Sequence, residues 1–192
     1  MKLVKITQTL AIIFAVVLPL GMRAGTIEYS SQIGAIQNSN GTNSADNNIV
    51  ELGTFTPGFN FSTNTSYAQL VAGFTLYDTT TIQSAGQFYN NPTWLGSASI
   101  PLYIWCFNVA SNVSSATQWA IITNPGWVTP SSASLSSSVI DTADSGTVIP
   151  TGAAGQVVGS NIKMTAAVPE PTSIALLGGG LMMLGSMVRR RK

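Results

Sequence analysis

The chain has 192 residues, with eight Lys and Arg against seven Asp and Glu, no His, and a formal charge of +1. Seven of the eight bases sit at the ends, at Lys2, Lys5, Arg23, Arg189, Arg190, Arg191 and Lys192. Residues 25–168 therefore set Lys163 alone against Glu28, Asp46, Glu51, Asp78, Asp141 and Asp144, a net −5. That balance argues against a nucleic-acid partner, whose phosphates need clustered cations, and the lack of His removes His-based triads and imidazole zinc sites.

In chain order, Lys2 and Lys5 precede the apolar run Leu10–Leu20. A basic start, a short apolar stretch and a helix-breaking Pro19 are the parts of a secretory leader. Eleven helical residues cover about 16 Å against a hydrocarbon core of about 30 Å, so cleavage is expected rather than anchoring. Residues 1–24 are assigned to the signal peptide, with Ala24 last in the leader and Gly25 first in the mature chain. Export machinery and signal peptidase are the implied partners.

Residues 25–167 form the expected folded domain. Ser, Thr and Asn fill 51 of the 144 positions from 25 to 168, and fifteen aromatic residues there supply enough apolar surface to offset chain entropy around a single core. No useful helical period appears, whereas β-branched and alternating runs recur between turn signals. The expected strands are 26–31, 33–37, 48–55, 68–77, 87–89, 101–109, 118–123 and 156–165. Turns are expected at Asn40-Gly, Thr56-Pro-Gly, Asn91-Pro, Asn124-Pro-Gly and Asp144-Ser-Gly. The class is all-β, an antiparallel sandwich or jelly-roll-like domain. Residues 129–155, rich in Ser, Ala, Thr and Gly without an aromatic, read partly as a solvated loop in which Val139 and Ile140 are isolated.

Strand 101–109 is apolar on both faces: Leu102, Ile104, Cys106 and Asn108 alternate with Tyr103, Trp105, Phe107 and Val109. It is expected to be central and covered on both sides, or else to expose Tyr103, Trp105 and Phe107 as a candidate ligand platform on which sugar rings stack. Cys106 is the only cysteine, which leaves no internal disulfide and reads as a buried small hydrophobe. Glycoside hydrolysis would need two close acids from Glu28, Glu51, Asp78, Asp141 and Asp144, and Asp141 with Asp144 flank a turn that could offer oxygens to calcium. No catalytic residue, metal site or cofactor is assigned. Asn40-Gly-Thr, Asn60-Phe-Ser, Asn64-Thr-Ser and Asn112-Val-Ser match the glycosylation triplet, which carries little weight in a chain this rich in Asn and Ser.

The C-terminal end reads Val168-Pro-Glu-Pro-Thr-Ser173, then the apolar run Ile174–Val188, then Arg189-Arg-Arg-Lys192. Pro169 and Pro171 are expected to keep residues 168–172 extended, as a protease cleft accepts them. The fifteen apolar residues span about 22 Å, short for a stable anchor, and Gly178, Gly179 and Gly180 weaken that helix further. Arg189, Arg190, Arg191 and Lys192 act as the stop-transfer cluster and keep the domain outside.

These three parts in this order resemble the PEP-CTERM sorting signal. Residues 168–192 are accordingly the sorting domain, with Val168, Pro169, Glu170 and Pro171 as its processing motif and residues 174–188 as a transmembrane helix. The resemblance implies an exosortase as partner, a Gram-negative envelope, membrane anchorage before processing, and a cell-surface or extracellular destination linked with exopolysaccharide. Residues 94–127 also look like a pattern in the middle domains of some PEP-CTERM proteins, which carries no activity with it. The expected role is structural or adhesive and non-catalytic; a carbohydrate-binding module is the alternative, and a glycoside hydrolase a more distant one.

Overall fold

The computed structural model describes residues 25–130 and 137–166. The expected leader 1–24 and the sorting segment 168–192 lie outside the described residues. Within them the chain runs β1 (Gly25–Ser30), β2 (Ile36–Gln37), β3 (Ile49–Phe55), α1 (Tyr67–Gly73), β4 (Phe74–Thr81), β5 (Tyr89–Asn90), β6 (Thr93–Trp94), β7 (Pro101–Phe107), β8 (Gln118–Val128), β9 (Ser137–Asp141), β10 (Gln156–Val158), β11 (Asn161–Lys163) and β12 (Thr165–Ala166). The all-β class is met.

Five strands form an antiparallel sheet in the order β12-β8-β7-β3-β4. β7 is central because both of its faces are apolar, and each strand face meets its own partners. Leu52, Ile104 and Ile122 fall in one row across β3, β7 and β8, and Val50, Cys106 and Ala120 in the next. Those rows face a buried cluster completed by Ile27, Tyr29 and Ile140 from β1 and β9, and by Ile36 and Ile162 from β2 and β11. β1 pairs antiparallel with β5 and β6 and parallel with β9, while β10, β11 and β2 form a three-stranded sheet. The smaller sheets thus close the inner face of the large one.

A second buried cluster lies on the outer face. It holds Phe55, Phe61, Leu70, Trp105, Phe107, Trp119 and Ile121, with Phe59, Tyr67, Phe74 and Tyr103 packed against it. The expected single core is therefore split in two by the central sheet. The outer one is roofed by the loop after β3 and by α1.

Several expectations need correction. The run 68–77 is not one strand: it opens as α1, because Ser66 caps the helix by accepting the Gln69 amide at 3.3 Å while the Gln69 side chain receives the Ser66 amide at 3.2 Å, a reciprocal capping box. At Gly73 a Cβ would overlap the Phe59 ring, and there the helix yields to β4. The run 156–165 is broken by a turn with Gly159 at φ +65° into the β10–β11 hairpin and β12. Ile140 is fully buried and β9 pairs along β1, so residues 137–141 are a paired strand and Ile140 is not isolated; Val139 on the same strand is 63% exposed. Two pairings, β1 with β9 and β2 with β11, are parallel, so the topology is mixed rather than wholly antiparallel.

Asn124-Pro-Gly is not a strand end either. β8 continues through it, with Tyr103 opposite Thr123 and Pro101 opposite Val128, so residues 124–127 arch out as an enlarged bulge. Asn124 holds the arch: its Oδ1 accepts the Gly126 amide at 2.9 Å and its Nδ2 donates to the Ser145 carbonyl at 3.0 Å.

Candidate functional site

The aromatic row of β7 is the first place to look for a ligand surface. Trp105 and Phe107 are each 1% exposed, and Tyr103 is half-buried. Phe74 meets the Trp105 ring edge-on at 5.4 Å, Tyr67 lies 5.8 Å from both Trp105 and Trp119, and Phe55 packs edge-on to Tyr103 at 5.1 Å. The candidate platform Tyr103, Trp105 and Phe107 is thus roofed by α1, Phe55 and Phe74. No sugar ring can stack on it while that roof is in place.

Beneath the roof sits one acid. Glu51 pairs in register with Trp105 on one side and Thr79 on the other, and burial raises its carboxyl above the usual range. Burial, then the Glu51 charge, raise the Tyr67 hydroxyl. The indole N–H groups of Trp105 and Trp119 are buried without a partner. Sequence reasoning did not bring Glu51 and Tyr67 together; the signal was the capping box at Ser66, which fixes where Tyr67 begins a helix.

Three other acids accept hydrogen bonds within the fold. Asp78 Oδ2 accepts the Tyr29 hydroxyl and the Asn90 amide, each at 2.7 Å, tying β4 to β1 and β5; the Tyr29 hydroxyl is raised by burial first and by Asp78 second. Asp144 Oδ2 accepts the Trp127 indole at 2.8 Å and the Asp141 amide at 3.1 Å, while Asp141 Oδ1 accepts the Ala143 amide at 2.8 Å. Those lone pairs define the turn. Among the described residues no three His, Cys, Asp or Glu side chains group as metal ligands. Glu28 lies on β1 beside Val139.

Cys106 is fully buried in the inner cluster, and burial alone pushes its thiol up to about 12. Two of the glycosylation triplets act as turn formers: Asn40 Oδ1 accepts the Thr42 amide at 3.0 Å and Asn60 Oδ1 the Ser62 amide at 2.9 Å, the local bonding that Asn side chains offer two residues ahead. Asn112 stands at φ 50° with its Oδ1 accepting Ser114 Oγ at 2.6 Å.

The two expected processing points flank the described fold. Gly25 opens β1 and pairs with Trp94, while its expected cleavage partner Ala24 lies outside the described residues. At the other end β12 pairs Thr165 with Trp119 and Ala166 with Gln118. Val168, Pro169, Glu170, Pro171 and the basic cluster Arg189, Arg190, Arg191 and Lys192 lie outside the described residues. Among those described, no helix is long and apolar enough to cross a membrane.

Comparison with protein families matches residues 167–192 to the PEP-CTERM protein-sorting motif. The chain therefore carries a PEP-CTERM sorting segment, which implies export, recognition by an exosortase and association with a membrane. No curated protein and no solved structure matches the chain.

Proposed function

We propose that residues 25–167 are the non-catalytic cargo of an exosortase-type sorting system, a β sandwich with a structural or adhesive role at the cell surface or in the extracellular matrix. The observation that carries this is the sorting motif at residues 167–192, beginning one residue after β12 ends at Ala166. The leader 1–24 delivers the chain across the inner membrane with Gly25 as the mature N-terminus. Residues 174–188 then hold it in the bilayer, Arg189 to Lys192 stay on the cytoplasmic side, and an exosortase cuts near Pro169 to Pro171.

The role assigned to the domain rests on where its acids go. Asp78, Asp141 and Asp144 accept the hydrogen bonds that join strands and turns, and Glu51 is half-buried in register with Trp105. Exopolysaccharide is the partner that the sorting class implies, and binding it through Tyr103, Trp105 and Phe107 would require the roof to lift. Mass spectrometry of the protein from its native host tests the proposal by reading both mature termini. Peptides starting at Gly25 and ending near residue 170 are expected; a population dominated by peptides that reach Lys192 refutes the sorting step, and replacing Glu170 should stop release without stopping insertion.

A further inference from the structure

β12 fixes the point at which the sorting segment leaves the fold. Thr165 and Ala166 are paired to the end of β8, and Thr165 Oγ1 also accepts the Gly155 amide at 3.0 Å. Seven residues, 167–173, separate Ala166 from the apolar run that opens at Ile174. At full extension they reach about 25 Å. A domain of about 140 residues is roughly 35–40 Å across, so once the apolar run is inserted, the domain must present to the bilayer a face close to Ala166.

The surface beside that exit has the composition of an interfacial contact. Gly155, which bonds Thr165, and Gln156 also line a shallow groove of about 460 Å³ walled by Val148, Ile149, Val157 and Val158. Val158 is 54% exposed, Val148 45% and Val157 39%. Val148 is held against the same strand that carries β12, since it exchanges backbone hydrogen bonds of 2.9 and 3.0 Å with Thr123 of β8. Lys163, the one base between residues 25 and 166, stands opposite Gln156 in the β10–β11 hairpin. Asp144, the acid nearest to Val148 in sequence, is turned to Trp127 and the Asp141 amide.

We propose that, while the sorting segment is inserted, the Val148, Val157 and Val158 groove rests on the phospholipid head-group layer with Lys163 against anionic phosphates. This rests on the reading that residues 174–188 enter the membrane. The valines bury their methyl groups at the interface and Lys163 supplies the attraction that an otherwise acidic domain lacks. Three valines and one lysine hold only weakly, so the contact orients the domain before processing and lets it go once the tail is cut.

The experiment reconstitutes the full chain into vesicles of seven parts phosphatidylcholine to three parts phosphatidylglycerol, with an environment-sensitive fluorophore on Val158→Cys or Leu76→Cys. Leu76 is 52% exposed on β4, at the opposite edge of the five-stranded sheet from β12. Flotation with the vesicles reports insertion, and its failure counts against the sorting-segment reading alone. In floated protein, the Val158 label is expected to be blue-shifted and quenched by head-group nitroxide lipids at least threefold more than the Leu76 label, with the difference reduced by Lys163→Glu. Equal quenching at both positions overturns the proposal. A blue shift that lipid quenchers do not reach means that another segment of the chain covers the groove. A shift that disappears on tenfold dilution of protein in lipid means a second copy, and either outcome overturns it too.

Discussion

Replacing Trp105 with Ala tests whether the outer face of the central sheet is core or ligand surface. The ring is 1% exposed and sits among Phe107 at 4.9 Å, Phe74 at 5.4 Å, Tyr67 at 5.8 Å and Phe55 at 6.3 Å. Truncating a buried Trp costs about 3–5 kcal/mol through lost transfer energy and the cavity left behind. One feature lowers that figure: the Trp105 indole N–H is buried without a partner, and an unmade hydrogen bond already costs about 1–3 kcal/mol in the parent. The expected loss for Trp105→Ala is therefore about 3 kcal/mol, near the bottom of the range. Trp105→Phe keeps an aromatic ring and removes the orphan donor, so it should lose less than about 1.5 kcal/mol. Urea unfolding followed by far-ultraviolet circular dichroism measures both without relying on tryptophan emission. A Trp105→Ala protein within about 1 kcal/mol of the parent would refute the closed roof and restore the row as an open surface.

Three further outcomes follow from the same geometry. Burial raises the Glu51 carboxyl, so the folded state holds that proton more tightly than the unfolded one; stability from this group is present below pH 4.5 and falls as pH rises through the folded value. Glu51→Gln should accordingly melt higher than the parent at pH 7, with the gap closing by pH 4 in thermal melts; a lower melt at pH 7 would show that Glu51 has a stabilising partner. The Cys106 thiol, pushed up to about 12 by burial, contributes stability that is intact below pH 9 and lost between pH 9 and 12, so Cys106→Ala should flatten the alkaline limb of the melting curve, and a thiol reagent should label the folded parent only as fast as it unfolds. Ser66→Ala removes one half of the capping box and should cost about 1 kcal/mol, read by the same urea titration; no change would mean that packing of Leu70 alone holds α1.

How far the fold could be read in advance depended on how local its causes are. β7 was legible because alternation is a property of the strand itself, and two apolar faces demand two covers. The covers were not legible, since the roof over Trp105 is assembled from Phe55, Tyr67 and Phe74, residues that alternation in 101–109 cannot see. α1 hid inside an apolar run whose only helical mark was Ser66 three residues ahead of Gln69. β9 hid among serines because its partner β1 is more than a hundred residues earlier and the pairing is parallel, with no hairpin turn to announce it. The turn signals were misread when their residues worked at longer range: Asn124-Pro-Gly bends β8 without ending it, since the Asn124 amide reaches Ser145.

The two ends obey a different logic. The sorting motif, and the leader expected over residues 1–24, are signals for machinery that reads a linear segment, so charge, apolar length and proline position are the whole message and all three are linear in sequence. A binding face on a β domain is assembled from strands distant in sequence, and here the one base of the domain, Lys163, joins three exposed valines only after the β10–β11 hairpin pairs with β2 and residues 148–154 bond to β8. The wealth of Ser, Thr and Asn belongs to that folded level as well. Ser31 Oγ accepts the Phe88 amide at 3.0 Å, Thr129 Oγ1 accepts the Ile100 amide at 3.0 Å and donates to the Ser97 carbonyl at 2.6 Å, and Asn40 and Asn60 cap their own turns. In a domain with so few charges these short polar side chains satisfy the backbone at strand ends, which is why a composition that could pass for a linker builds a closed β structure.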